Sequence, residues 1–497
     1  MLIHLRNFFT LLVVAVLIRL PHVLSENFVL DSDESVLGIC TRLWVEDGIF
    51  YWIFPGQKYG LIFPELLAAL PAVLLGGITP FTIKVPQLLW FVLGVYFLFL
   101  MAKHKTTPVL AWTLAIMLVT CTTWFLWGIR IRGGYVPAFA LSNLLIYLAV
   151  CKYRSTLLFS LMMGVGLGLL FHLHPLWSLG TAFFALAAMN RDALNPRLAL
   201  TLIAGICLAW IPPHLAQPDY LFYDPQFFTV AGARVSNNAS IYLSYFERNF
   251  NGLYLHGRAY AGFWATRPYV LVLALLVVGV WFGAVVQAVK QRARGLFYLA
   301  GIGAMATVFV VPFFLVSAAP RYALPLFGFL FPTMLLLLEE AYADKRSRRL
   351  AMGFLSTLIA LSAVVWSQSG KVTYEDYTRG SITELVQYLK SEEVKSVFTI
   401  NAGLQWQVMF YANGEIPARN KPIHDRIPAL SKKATAGYNA DWQHSALVEL
   451  AWEYDEDVLG PPTWSNGSFA VLLAPHYDLM NGLGFQGLQS KRKSITD

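Results

Sequence analysis

Charge is scarce in these 497 residues. Asp, Glu, Lys and Arg make up 13% of the chain, while apolar residues make up 57% and the mean hydropathy is +0.55. A soluble domain carries about a quarter charged residues. That excludes a soluble enzyme on a single anchor and leaves a polytopic membrane protein. Cysteine is scarce too. Cys40, Cys121, Cys151 and Cys207 have no Cys-x-x-Cys spacing, so they read as small core residues, neither a disulfide framework nor a metal site. A Walker loop, a dinucleotide fingerprint, a serine nucleophile elbow and a zinc signature are all missing, which leaves ATP-driven transport without support. No internal repeat or low-complexity segment is present, and with it go the two similar halves of many secondary transporters. The net charge of +8 does not call for nucleic acid. Lys and Arg held in cytoplasmic loops account for it.

What the chain does have is apolar length. Twelve segments stand out: 8–24, 61–77, 81–101, 107–127, 136–151, 155–172, 175–189, 198–213, 268–289, 296–316, 321–340 and 349–367. Most approach the ~20 residues that cross a bilayer core. The first could be mistaken for a signal peptide, but Arg19 and Pro21 interrupt its end and no clean cleavage site follows, so it reads as an uncleaved helix. The basic clusters set the count. If 61–77 does not cross, then Lys103 to Lys105, Lys152 to Arg154, Arg191 to Arg197, Lys290 to Arg294 and Lys345 to Arg349 all fall on the cytoplasmic side. Prolines and glycines around 61–77 break up any long helix there, and non-spanning backbone is tolerated where protein buries it. About eleven spanning helices are expected, with the amino end inside and the carboxyl end outside.

The outer face then receives loops 25–80, 128–135 and 214–267, and the tail. Residues 1–370 read as one transmembrane domain. Residues 371–497 read as a small soluble α/β domain: an amphipathic run from Ile382 to Leu389 precedes strand-like runs such as Ser396–Ile400 and Phe469–Leu473.

Candidate site residues crowd the outer side. Asp31, Asp33 and Glu34 follow the first helix directly, and acids at a membrane boundary are costly unless solvated or paired. Asp33 or Glu34 could act as a general base on an acceptor hydroxyl or as a divalent metal ligand. The structural alternative is a helix N-cap by Asp31 or Ser32, with Glu34 or Ser35 completing a capping box. Arg130 and Arg132 lie on a short turn that ends Gly133-Gly134-Tyr135. Arginine forks bind phosphate bidentately and glycines admit backbone amides, although interfacial snorkelling would also place them there. His172 and His174 sit at an outer helix end and do not share a face, which favours a polar head group over a metal. Arg321-Tyr322 opens a late apolar helix, where a lone cation is costly unless paired with an anionic ligand or with one of the outer acids; Lys58-Tyr59 follows Pro55-Gly56, with Lys58 either a second group for an anion or a solvated lysine.

In order and in side of the membrane, these pieces resemble the GT-C-fold glycosyltransferases that use polyprenyl-phosphate-linked sugars, a group that includes protein O-mannosyltransferases and lipid A aminoarabinose transferases. The resemblance covers residues 1–370. It rests on Asp33-Glu34 after the first helix, on Gly56-Gln-Lys-Tyr-Gly60 with Pro64 beyond it, and on Arg321-Tyr-Ala-Leu-Pro325. It implies that Asp33 deprotonates the acceptor, that Arg321, Arg130 and Arg132 hold the lipid phosphate as leaving group, that the sugar is inverted in one displacement, and that loop 214–267 covers the site. Many relatives carry a second acid where this chain has Ile129-Arg-Ile-Arg-Gly-Gly134, so a metal-free site is expected, with a divalent metal the less favoured alternative. The expected partners are a polyprenyl-phosphate sugar donor, membrane lipid, and a glycan, lipid or protein acceptor. The expected location is a bacterial inner membrane, with site and tail on the extracytoplasmic side. The rival readings are a lipid-linked-glycan transporter or flippase and a non-catalytic scaffold. Against a transporter, the ionisable residues cluster at the faces and not along a path.

Overall fold

The computed structural model describes residues 2–57, 60–189, 195–216, 266–291, 295–314, 322, 324–341, 345–366, 375–421 and 426–489. Lys58, Tyr59, Arg321 and nearly all of loop 214–267 therefore lie outside the described residues. The chain divides into two compact units. The first comprises residues 1–21, 58–75 and 82–369; the second comprises residues 22–57, 76–81 and 370–497.

All twelve apolar segments are helical. In chain order they are α1 (Leu2–Val23), α3 (Phe63–Gly76), α4 (Pro80–Lys84) leading into α5 (Leu88–Lys105), α6 (Pro108–Thr120) broken before α7 (Thr122–Phe125), α8 (Tyr135–Cys151), α9 (Leu157–Leu173), α10 (Pro175–Met189), α11 (Pro196–Ala216), α12 (Thr266–Lys290), α13 (Gly295–Val310), α14 (Leu324–Ala341) and α15 (Lys345–Trp366). Residues 2–23 and 80–105 are long and apolar enough to cross a membrane alone. The pair 108–120 and 123–129, bent by 75°, has the length and apolar composition for it only when taken together, as a broken span or a re-entrant loop. Segment 61–77 yields only the 14 residues of α3, a rise of about 21 Å that falls short of a hydrocarbon core of about 30 Å.

Small residues let these helices approach. A Cβ on Gly164 of α9 would meet the Leu202 carbonyl oxygen of α11 at 2.1 Å, and one on Gly205 would meet the Leu161 carbonyl oxygen at 2.4 Å. Without hydrophobic drive between helices in lipid, such close backbone packing is what holds a pair together. Elsewhere the apolar side chains face outward. Phe9, Val13 and Leu17 of α1 are exposed, as are Ile203, Leu208 and Ile211 of α11. Cys207 corrects the expectation of four core cysteines: none of the four forms a disulfide, but Cys207 is exposed on this outward face of α11. A small thiol is at ease on a surface that is apolar anyway.

Arg19 is fully buried in α1. Its Nε donates to the Phe125 carbonyl and its Nη2 to the Trp124 carbonyl, both at 2.8 Å, and its Nη1 reaches the Ala15 and Val119 carbonyls at 3.1 and 3.4 Å. The break between α6 and α7 leaves carbonyls without helical partners, and one guanidinium serves three of the carbonyls around it.

The second unit is an α/β domain joined by the segment after α1. Its sheet runs β2 (Ala418–Arg419), β1 (Ser396–Phe398), β3 (Ser445–Leu450), β5 (Phe469–Leu473), β4 (Trp464–Ser465) in spatial order. β1 is parallel to β2 and β3; β5 is antiparallel to β3 and β4. Every residue of central β3 is buried, as a strand covered on both faces must be. Phe398, Tyr438, Leu447, Met480 and Phe485 form the core on one side. The expected amphipathic run is helix α16 (Arg379–Ser391), capped by Thr378. α17 (Leu404–Tyr411) follows β1, and α2 (Ser32–Asp47) packs along it.

Candidate functional site

The acids after α1 belong to the second unit, and they divide their work. Asp31 caps α2: its side chain accepts from the Glu34 N–H at 2.8 Å, and the Glu34 Oε2 accepts from the Asp31 N–H at 3.0 Å. This reciprocal capping box gives Glu34 a structural task. Two tyrosines of the C-terminal domain set where the helix begins. The Leu30 N–H donates to the Tyr411 hydroxyl at 3.0 Å, and the Tyr377 hydroxyl donates to the Leu30 carbonyl at 2.7 Å. Burial pushes the Tyr377 hydroxyl well above its ordinary pKa, with the carboxylates of Glu375, Asp31 and Glu34 adding to it, so it stays a donor. Asp33 points away from the cap. Its Oδ1 accepts from the Arg426 Nη1 at 2.5 Å. Nearby, Glu26 pairs with Arg379 at 2.7 Å, which lowers the Glu26 carboxyl.

The other candidates gather in the first unit. The turn after α7 ends with Gly133 and Gly134 at φ +72° and +90°, left-handed backbone that a side chain would strain. Glu65, fully buried at the start of α3, accepts from the Arg132 N–H at 3.2 Å and the Gly133 N–H at 3.0 Å. A Cβ on Gly60 would meet the Gly133 oxygen at 2.9 Å, and one on Gly134 the Leu173 oxygen at 3.0 Å. The Gly60 and Leu61 N–H groups both donate to the His172 carbonyl. Three loops, 60–65, 130–134 and 172–174, are thus tied together, the last to the first through backbone bonds and the second to the first through the Glu65 carboxylate.

Aromatic rings fill in around them. Tyr135 lies between Trp127, 5.2 Å away, and His174, 4.5 Å away; His174 in turn lies 6.3 Å from Tyr322. The guanidinium groups of Arg130 and Arg132 stand 5.0 and 6.0 Å from the Trp127 ring, within cation–π range. Arg130, His172 and His174 are buried. So Arg130, Arg132, Tyr135, His172, His174 and Tyr322, called from scattered positions, share one neighbourhood. Among the described residues, no three His, Cys, Asp or Glu side chains converge as a metal-ligand set.

Sequence reasoning missed Glu65, Trp127, Tyr377, Tyr411 and Arg426. Glu65 carried a signal, since an acid inside an apolar run is expensive unless satisfied. Arg426 carried none, lying 393 residues from its partner.

Neither the protein-family models nor the curated proteins contain a match to this sequence. Solved structures do. ArnT from Cupriavidus metallidurans in the apo state superposes with a TM-score of 0.61 over 95% of this chain and 97% of its own, at 11% identity. The same protein bound to undecaprenyl phosphate gives a TM-score of 0.55 over 94% and 97%, also at 11% identity. The chain has the ArnT-like GT-C fold. This makes it a mostly helical membrane protein with a small α/β domain at the carboxyl end. The likeness extends past residue 370, where the sequence resemblance stopped.

Proposed function

We propose that the protein is an integral membrane glycosyltransferase. It moves one sugar from a polyprenyl-phosphate donor to an acceptor on the extracytoplasmic face of a bacterial inner membrane. A fold does not fix an activity, so the reading is carried by one observation about residues: on the GT-C frame, the acid cluster leaves Asp33 outside the capping box that occupies Asp31 and Glu34. Asp33 is then the acid we assign as general base.

In this reading the carboxylate of Asp33 takes the proton of an acceptor hydroxyl. The hydroxyl oxygen bonds to the anomeric carbon as the bond to the phosphate oxygen breaks, and the electron pair leaves with the phosphate. Inversion at that carbon follows from a single displacement. Arg130 and Arg132 balance charge on the departing phosphate, and the Trp127 ring and the Glu65-held turn keep them oriented. Arg321, Lys58 and Tyr59 are proposed to assist there. His172, His174 and Tyr322 are proposed to contact the polar head of the donor. No metal is proposed in the reaction. The undecaprenyl phosphate bound to ArnT supports a donor of that lipid class.

The test is Asp33→Asn in purified protein with polyprenyl-phosphate sugars as donors. The asparagine keeps the shape and removes the base. Transfer should fall by about 10²–10⁴-fold while undecaprenyl phosphate still binds. An unchanged rate sinks the base assignment.

A further inference from the structure

The C-terminal domain supplies a cation to the acid just assigned as base, and two separate segments build its seat. Arg426 donates from Nη1 to Oδ1 of Asp33. Its guanidinium lies 5.0 Å over the Phe54 ring. Its stem passes beside Gly56: a Cβ there would sit 3.0 Å from the Arg426 Cγ and 3.4 Å from its Cβ. Gly56 also holds φ +75°. A side chain at 56 would therefore press on the arginine stem and shift it by a few tenths of an ångström, as well as strain the turn. The Asp33 side chain is 8% exposed and that of Arg426 27%.

In a largely buried ion pair the desolvation of both charges offsets much of the Coulomb gain, so the pair is weak evidence for stability. Its consequence is for the state of the acid. A general base must be ionised and must point one way. A guanidinium within hydrogen-bond reach favours the ionised carboxylate, and its planar fork, held by ring and glycine, gives up little rotamer freedom in doing so. A carboxylate has about four lone-pair positions, so a bond to Oδ1 still leaves room for an acceptor hydroxyl. Asp31 and Glu34 stand beside Asp33 at the start of α2, and Arg426 adds a positive charge to that acidic stretch.

We propose that Arg426 is a positioning residue for Asp33, through which the C-terminal domain holds the base ionised and oriented for the acceptor. The proposal rests on the base assignment made above. It also gives that domain a part in the chemistry that the transmembrane motifs did not suggest.

The test reads the charge on Asp33 with no sugar present. Purified full-length protein is treated with a water-soluble carbodiimide, which reacts with protonated carboxyls, at steps between about pH 4 and pH 8. Labelling of Asp33 is followed by peptide mass. Arg426→Ala should raise the labelling midpoint by about one to two units, and Arg426→Lys should restore more than half of the shift. Gly56→Ala keeps every charge but displaces the stem, and should move the midpoint the same way. An Arg426→Ala midpoint equal to wild type overturns the proposal, as does Gly56→Ala at the wild-type value. Should Arg426→Ala fail to fold, Arg426→Lys and Gly56→Ala decide the question. A dead Asp33→Asn with unmoved midpoints sinks Arg426 and leaves the transferase reading standing. An active Asp33→Asn sinks the base, whatever the midpoints do.

Discussion

Arg19 shows how much one side chain can hold. Seen in the sequence, it is a charge that ends the first apolar run. In the fold it has no exposed surface and donates to carbonyls from α1, α6 and α7. Phe91 and Phe125 also pack against its guanidinium, at 4.9 and 5.4 Å. Replacing it with leucine keeps the bulk and strands those carbonyls, each costing about 1–3 kcal/mol when buried and unpaired. Arg19→Leu should lower the thermal midpoint of the purified protein by several degrees, and Arg19→Lys by less. A midpoint unchanged in Arg19→Leu would mean that the carbonyls find other partners. Such a residue is illegible in advance because its role depends on a helix break more than a hundred residues away. Asp33 was legible, because an acid at a membrane boundary asks for an explanation wherever the chain goes next.

The loop after β1 carries its own titration. Glu449, buried on β3, accepts from the N–H groups of Ile400 and Asn401. Burial outweighs those bonds and raises its carboxyl from 4.5 to about 7. A raised carboxyl in the folded state stabilises the protein below the unfolded value. That contribution is lost as pH climbs from 4.5 through about 7, and is absent above it. The span is worth about 3 kcal/mol by linkage. Hydrogen exchange at Ile400 and Asn401 in the full-length protein, corrected for intrinsic rates, should therefore speed up between pH 5 and pH 8 by about 10²-fold. Glu449→Gln should flatten that dependence. An equal slope in the variant would place the titration elsewhere. The strands and α16 were readable from period and capping. The tie from Glu449 to the loop was not, because it needs the β1–β3 pairing to exist first.

For the whole molecule, the basic clusters make the strongest statement. With α3 not spanning, the positive-inside rule predicts the amino end and Lys103 inside and the C-terminal domain outside. Single cysteines at Lys103 and Lys433, both exposed, in a background without the four natural ones, should separate in intact spheroplasts. A membrane-impermeant maleimide should label position 433 at once and position 103 only after permeabilisation. The reverse result would overturn the sidedness and move the proposed site to the cytoplasm.

The sequence by itself determined a membrane protein of many helices with a small α/β domain at the carboxyl end, because hydropathy, charge placement and periodicity are local quantities that lipid and water sort without reference to the rest of the fold. It also singled out 31–34, 130–135 and 172–174, which the fold ties into hydrogen-bonded turns and a helix cap. Tertiary structure decided which acid does which job. Asp31 and Glu34 close on each other, Glu65 takes the arginine turn, and Asp33 is met by Arg426. Those assignments come from backbone approaches at Gly56, Gly60 and Gly134 and from partners far apart in the chain, and loop-closing contacts of that kind exist only once the helices and the sheet have packed.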